Sequence, residues 1–125
     1  MLGDKTVVAT LAVKSMDVAK KFYEETLGLA KSMDMPVGIL YKSGDSQVFV
    51  YQSEFAGTNK ATAASWGVGD DIEKVAEGLK AKGVSFESYD ISGATKQGDL
   101  YVMGDLKSAW FKDPDGNILN IVNQM

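Results

Sequence analysis

The spacing of apolar residues changes several times along the chain, and each change predicts a different element. Residues 6–15 (TVVATLAVKS) are rich in β-branched side chains and predict a largely buried strand. Ser15 then offers a helix N-cap and Asp17 a first-turn acid, and apolar residues recur at helical spacing through residues 16–27. Gly28 follows as a C-terminal stop, so the chain is expected to open with one strand and one helix.

The pattern then becomes strand-like and begins again. Residues 37–52 contain two apolar runs around KSGDS, which predict a hairpin with a Gly-Asp turn. Residues 54–61 are polar and contain glycine, as in a linker. Residues 62–69 have strand character, and Asp70 and Glu73 follow at the spacing of a capping box.

The second half repeats the order of the first. A helical stripe ends at Gly83, after which residues 84–89 predict a strand and residues 90–98 a loop. Residues 99–122 predict three strands joined by Gly-Asp and Asp-Pro-Asp-Gly turns. Strand, helix and strands therefore occur twice, with helix starts about 55 residues apart.

This repeat predicts an α+β fold made of two βαβββ modules, over about 1–53 and 61–125, within one domain over 1–125. Each module has one helix, which must cover one apolar face of its sheet. The other faces are expected to line a cleft if the two sheets curl together. A chain of 125 residues is long enough for one such domain with a proper core.

Composition and charge exclude several classes of function. The net charge is −4 and the chain has no arginine and no run of lysines, so nucleic acid is not expected as a partner. No apolar run reaches membrane-spanning or signal-peptide length, so we expect a cytoplasmic protein without a membrane partner.

Cysteine and histidine are both absent. The absence of cysteine excludes disulfides, thiolate nucleophiles and zinc-thiolate sites. The absence of histidine excludes a Ser-His-Asp triad and every site built on imidazole ligands. Chemistry, if any, must use carboxylates, lysine, tyrosine, hydroxyls or the backbone.

Two segments resemble the signatures of the vicinal oxygen chelate superfamily, the group of glyoxalases, bleomycin-resistance proteins, fosfomycin-modifying enzymes and extradiol dioxygenases. They are VATLAVKSMDVAKKFYEETLGL (8–29) and AWFKDPDGNILNIV (109–122). The resemblance implies that the two modules form a curved mixed sheet, a half-barrel around a cleft. It also implies a homodimer, and a divalent metal held in the cleft of the enzymes.

The positions that hold the metal in that family carry unsuitable residues here. The two histidine positions fall at Val8 and at Ala63 or its neighbour, and the glutamate position falls at Asn120. Some members add a ligand where Gln52 and Glu54 occur. Aliphatic side chains cannot bind a metal and one amide oxygen is a weak neutral ligand. We therefore expect no metal and no cofactor.

Strand alternation predicts the lining of the cleft. If Val8 faces the cleft, Thr10 does too, and the same parity places Trp110 and Asn120 in the cleft and Trp66 beneath the helix. The residues expected against the first helix are Val7, Ala9, Leu11 and Val13. The candidate ligand-binding residues are Thr10, Tyr41, Phe49, Tyr51, Tyr101, Trp110 and Asn120.

Three functions remain open at this stage. The favoured one is a metal-free binding protein for a small apolar or aromatic molecule, with the negative net charge weakly favouring a cation. The alternative is a metal-dependent glyoxalase- or dioxygenase-like enzyme with unconventional ligands. The third is a structural or protein-binding domain whose cleft is filled by side chains. Asn120 could serve either a ligand or neighbouring backbone groups.

Overall fold

The computed structural model describes residues 1–124, so the last residue of the predicted second module lies outside them. The strands are β1 (Ala9–Val13), β2 (Ala30–Met35), β3 (Gly38–Ser43), β4 (Ser46–Gln52), β5 (Thr62–Gly67), β6 (Thr95–Gln97), β7 (Leu100–Met103), β8 (Leu106–Lys112) and β9 (Ile118–Val122). The helices are α1 (Met16–Lys20), which continues as a π-helical segment over Lys21–Thr26, and α2 (Ile72–Ala81), which follows a 3₁₀ turn over Gly69–Asp71.

The strands form two mixed sheets that repeat one topology. The first sheet has the order β1-β4-β3-β2 and the second the order β5-β9-β8-β7-β6. In both, the strand before the helix pairs in parallel with the last strand of its module, and the remaining pairs are antiparallel. The α+β fold class with two βαβββ modules is confirmed, and the second module has one additional short strand, β6.

The first helix begins as predicted. The Ser15 Oγ accepts a hydrogen bond from the backbone N–H of Val18 at 3.4 Å, which satisfies one free donor of the first turn. The helix extends over the predicted length, but its second half is wound as a π-helix.

The capping box predicted for the second helix is wrong. Asp70 lies inside the 3₁₀ turn, and the N-cap of α2 is Asp71, whose side chain makes no capping hydrogen bond. The Glu73 side chain turns instead to Lys107, with 2.7 Å between Oε1 and Nζ. That ion pair lowers the pKa of Glu73.

Three other segments differ from the prediction. The edge strand β2 was not predicted, because all of its residues are exposed and its sequence therefore shows no burial period. Residues 84–89 form only a bridge between Phe86 and Phe111, with the Glu87 N–H donating to the Trp110 carbonyl, rather than a strand. β6 lies within the predicted loop 90–98.

One hydrophobic core spans both modules and joins their helix-covered sides. Its largest fully buried side chains are Tyr23, Tyr41, Phe111, Leu11, Ile72, Leu119, Val13 and Val50. Between the modules, the Trp66 indole N–H donates to the Ser43 Oγ at 2.8 Å, so Trp66 lies on the helix side as predicted. Leu11 and Val13 are buried as predicted, but Val7 is 87% exposed and precedes β1, so its predicted packing on the helix is wrong.

Within residues 1–124, neither helix is long and apolar enough to cross a membrane.

Candidate ligand-binding faces

Each sheet has a face covered by its helix and an opposite face, which we call the open face. Residues paired directly across strands lie on the same face. Thr10 pairs with Phe49, and Trp110 pairs with Asn120. The helix-covered side is marked by buried pairs such as Ala109 with Ile121. The open faces therefore carry Thr10, Phe49 and Tyr51 in the first module and Tyr101, Trp110 and Asn120 in the second.

Tyr41 lies on the helix-covered face, so the structure removes it from the predicted cleft lining. It pairs with buried Val48, its ring lies 6.3 Å from that of Tyr23, and it is fully buried. Its hydroxyl donates to Glu24 Oε2 at 2.8 Å. Burial, together with this carboxylate, raises the pKa of Tyr41, so the phenol stays neutral and acts as a core hydrogen-bond donor.

The open face of the first module presents two stacked aromatic rings. The centroids of Phe49 and Tyr51 lie 5.7 Å apart and their planes differ by 4°, with both side chains half-buried. Thr10 is exposed beside them, and its hydroxyl donates to the Val8 carbonyl at 3.2 Å. This face can offer a flat apolar surface to a partner.

The open face of the second module centres on Trp110. Tyr89 and Tyr101 contact its ring edge-to-face, at centroid distances of 5.8 and 5.6 Å, and its indole N–H donates to the Thr62 Oγ1 at 3.1 Å. The Tyr89 backbone N–H in turn donates to the Tyr101 hydroxyl. A pocket of about 330 Å³ opens here, lined by Lys60, Ala61, Thr62, Tyr89, Ile91, Trp110 and Ile118.

Of the residues lining this pocket, only Trp110 is among the candidate ligand-binding residues predicted from the sequence. Tyr89 ended a segment predicted to be a regular strand, and Lys60 and Thr62 belonged to a predicted linker and strand start. These residues share one weak sequence feature. They are polar or aromatic and lie at the junctions between elements, where binding residues often occur.

The amide nitrogen of the buried Asn120 is satisfied by the protein itself. Its Nδ2 donates to the Ser108 Oγ at 2.7 Å and to the carbonyls of Ala109 and Ile121 at 3.0 and 3.2 Å. Because carbonyls only accept hydrogen bonds, these two contacts fix which end of the amide faces them. The alternative left open by the sequence is thus resolved for the amide nitrogen, which holds β8 and β9 together.

The residues at the family's metal positions do not fit a metal ion. Val8 and Ala63 carry no donor atoms, and the Asn120 nitrogen is engaged with the protein. The Gln52 amide donates to the Lys14 carbonyl at 3.1 Å. Among residues 1–124, no three Asp, Glu, His or Cys side chains are grouped so that they could hold an ion. A divalent cation needs several such donors, including anionic ones.

The structure brings the candidate residues together as two groups rather than one. Phe49 stacks with Tyr51, and Trp110 contacts Tyr101, each within its own module. Across the part of the chain that is described, no aromatic contact or side-chain hydrogen bond links one group to the other. The helix-covered sides of the modules share the core. On the open faces Thr10 is exposed and Phe49, Tyr51 and Trp110 are half-buried, while Tyr101 and Asn120 are buried.

The fold has two repeated modules, each with a parallel strand pair and an open aromatic face. Comparison with known proteins identifies the family that shares this fold. Residues 5–121 match the model of the Glyoxalase/Bleomycin resistance protein/Dioxygenase superfamily, and the chain belongs to that family. The resemblance inferred from the two sequence segments is confirmed.

Individual relatives agree with this assignment. The uncharacterized protein YurT of Bacillus subtilis is 31% identical over 137 aligned residues, which cover 96% of this chain and 99% of YurT. The fosfomycin resistance protein FosX of Listeria monocytogenes has a TM-score of 0.72 at 13% identity, covering 95% of this chain and 92% of FosX. A lactoylglutathione lyase from Agrobacterium tumefaciens has a TM-score of 0.70 at 14% identity, covering 98% and 95%. The last two show a common fold.

Proposed function

We propose that this chain is a metal-independent member of the family that binds a small aromatic molecule on its open faces. The observation that carries the proposal is the pocket beside Trp110, a shallow, open and mostly apolar site with few polar groups. Aromatic side chains gain more from contact with a flat apolar ligand than from exposure to water. The similarity to resistance proteins suggests sequestration of such a molecule.

The donor chemistry supports a function without a metal. Val8 and Ala63 replace nitrogen ligands with hydrocarbon, and Asn120 replaces a carboxylate with an amide whose nitrogen is already engaged. An ion in this place would lose its hydration shell with too few donors to replace it. Sequestration needs only shape and contact area, which the aromatic faces offer.

We propose further that a second copy of the chain completes the cleft. Among residues 1–124, the two aromatic groups of one chain make no aromatic contact with each other, and in a dimer the open face of the first module would meet that of the partner's second module. Met33 and Met35 on β2 are 55% and 42% exposed. They pair with Leu40 and Gly38 of β3, which places both methionines on the open face. Contiguous exposed apolar groups of this kind are typical of interfaces. The cytoplasmic location expected from the sequence stays a prediction.

Metal analysis of protein purified without an affinity tag tests the first proposal. Inductively coupled plasma mass spectrometry is expected to find far less than one equivalent of zinc, nickel, manganese or iron after incubation with each ion and desalting. A stoichiometric ion that survives desalting would contradict the proposal and favour the metal-dependent enzyme.

Ligand binding is tested on Trp66→Phe protein, in which Trp110 is the only tryptophan. Titration with planar aromatic compounds is expected to change Trp110 fluorescence and to raise the melting temperature in proportion to ligand occupancy. The matched control is Trp110→Ala, which should abolish the thermal shift while leaving the fold intact. No response to any aromatic compound would contradict binding.

Sedimentation equilibrium tests the dimer. The expected mass is about twice the 13.4 kDa of one chain. The Met33→Lys/Met35→Lys variant is expected to shift the protein toward monomer, because each lysine would place a charge in the interface. Val18→Lys, at an exposed position on α1, is the control and should leave the mass unchanged. A monomeric native protein would contradict the shared cleft.

A further inference from the structure

The charges on the open faces have the opposite sign to the protein as a whole. The charged strand residues on these faces are Lys42, Lys96 and Lys112, assigned by their pairing with Gln47, Tyr101 and Ile118. The acid found within the described strands, Asp34, pairs with buried Ile39 and so lies on the helix-covered side. In a chain of net charge −4, the strand positions on these faces carry lysine and no carboxylate.

The pocket beside Trp110 has the same character. Lys60 is the charged residue in its lining, where it accompanies the side chains of Tyr89, Ile91, Trp110 and Ile118. Lys60 is exposed, so its ammonium is free to move toward a bound molecule.

Neighbouring lysines are held by other groups. The Lys112 Nζ lies 3.4 Å from Glu87 Oε1 and so has an acidic partner. The Lys96 Nζ lies 5.6 Å from the centre of the Tyr101 ring and donates to the Ser88 Oγ at 2.5 Å. Lys96 therefore adds positive potential beside the Tyr101 ring, and Lys60 is the lysine among the residues that line the pocket.

We propose that the ligand is a planar aromatic carboxylate, with its ring against Trp110 and its carboxylate at Lys60. This inference rests on the proposed binding function and names the chemical class of its ligand. It replaces the cationic ligand suggested by net charge, because a cation would be placed beside lysines with no unpaired acid in the pocket lining. A single anionic group matches the single lysine of the lining, and lysine binds a carboxylate as a point charge.

The apolar part of the ligand supplies most of the contact and the carboxylate supplies selectivity. Trp110 is fixed by its hydrogen bond to Thr62 and by the rings of Tyr89 and Tyr101, so its exposed surface is presented without further ordering. An ion pair at an exposed lysine contributes little by itself. Anionic and neutral forms of one ring system should therefore differ by a moderate factor.

Isothermal titration calorimetry with three compounds that share a ring tests the inference. The compounds are 2-naphthoate, 2-naphthylmethanol and 2-naphthylmethylammonium, titrated into the full-length native protein at low and moderate salt. The naphthoate is expected to bind about fivefold more tightly than the alcohol at low salt, and the ammonium compound most weakly. Added salt should reduce the difference between naphthoate and alcohol.

Variants connect the selectivity to one residue. Lys60→Gln is expected to reduce naphthoate affinity to that of the alcohol without changing alcohol binding. Lys74→Gln, at an exposed position of α2, is the control with the same change of charge and should preserve the preference. Folding of both variants is checked by their melting temperatures.

The outcomes separate the inference from the proposed function. Equal binding of naphthoate and alcohol, tighter binding of the ammonium compound, or an unchanged preference in Lys60→Gln would overturn the carboxylate assignment while aromatic binding stands. Absence of binding by all three compounds would overturn both.

Discussion

A buried carboxylate at one residue, Asp113, organises the turn that joins β8 to β9. Its Oδ2 accepts the Tyr23 hydroxyl and the Asn117 side-chain amide, both at 2.7 Å. Its Oδ1 accepts the backbone N–H groups of Asp115 and Asn117 at 2.9 and 2.8 Å. Four donors compensate the burial of this group, so the DPDGN sequence read as a turn also forms a polar link to the first helix.

The Tyr23 phenol makes stability depend on alkaline pH. Burial, and then the negative charge of Asp113, raise the pKa of Tyr23 well above its value of 10.0 in an unfolded chain. The unfolded chain releases this proton first, so the contribution is complete below about pH 10 and is lost as the pH rises further. Urea unfolding is expected to show a falling free energy above pH 10, with a smaller fall in Tyr23→Phe.

The same variant has a second consequence at neutral pH. Removal of the hydroxyl leaves Asp113 with one donor fewer, which should cost about 1–3 kcal/mol at pH 7. Tyr51→Phe, at a half-buried position of the open face, is the matched control and should change both quantities much less. An unchanged alkaline slope in Tyr23→Phe would show that another group causes it, with Tyr41 the next candidate because its pKa is also raised.

Asn120 offers a separate test of its structural role. Asn120→Ala removes the side-chain donor to the Ser108 hydroxyl and to the carbonyls of Ala109 and Ile121, and should lower the free energy of unfolding by about 1–3 kcal/mol. Ligand affinity should change little if the amide serves the protein. Thr10→Ala, on the exposed part of the other open face, is the stability control. A stable Asn120→Ala protein with greatly weakened ligand binding would contradict this role.

At this scale, alternation predicted the faces of most residues but not of Tyr41. Trp66 and Trp110 were placed correctly because polar or small neighbours marked the period of their strands. In β3, Ile39, Leu40 and Tyr41 are consecutive and large, so the sequence shows no alternation and does not indicate which of them faces the helix. Two of the three partners of Asn120, Ser108 and Ala109, lie on the neighbouring strand β8 and could not be predicted from its own surroundings.

At the scale of elements, burial decided which parts of the fold were visible in the sequence. The elements with a clear apolar period, β1, β4, β8, β9 and the two helices, were predicted. The bounds were less exact, since β1 spans Ala9–Val13 within a strand predicted over 6–15, and β8 and β9 were predicted only as strands within residues 99–122. β2 has no buried residue and was missed, and residues 84–89 have strand-forming side chains but only one bridge to β8. In both segments, the presence of a pairing strand decides whether a strand forms, and the intrinsic strand preference of the side chains does not.

Two glycines allow the packing of elements to be tested. A Cβ on Gly38 would lie 2.2 Å from the Val50 carbonyl oxygen and 2.8 Å from the Tyr51 Cα, so β3 could not approach β4 as closely. Gly38→Ala is expected to destabilise the protein by about 1–3 kcal/mol.

At Gly78, in the interior of α2, a Cβ would meet nothing within 4 Å. Gly78→Ala should stabilise by about 0.5–1 kcal/mol. Chemical denaturation measures both, and a neutral Gly38→Ala would contradict the packing argument.

At the scale of the whole molecule, polar contacts fasten the modules along the same seam as the shared core. The Asn117 side chain donates to the Ala12 carbonyl at 2.7 Å, and the Lys14 N–H donates to Asp115 Oδ1 at 3.2 Å. At the other end, the Lys82 Nζ donates to the Glu25 carbonyl at 2.9 Å. The repeat of the modules could be predicted from sequence, but their assembly could not, because the residues that join them are 57 to 105 positions apart.

Because the shared core and these polar contacts join the two modules, the modules should stay together even when the chain between them is cut. The connecting segment passes over the turn, where a Cβ at Gly57 would lie 2.2 Å from the Asp115 carbonyl oxygen, and then runs through exposed Thr58, Asn59 and Lys60. Protein nicked at these three residues should elute as one particle holding both polypeptides. The halves, expressed as separate fragments, should then reassemble from solution, which would make this chain a natural starting point for a split reporter.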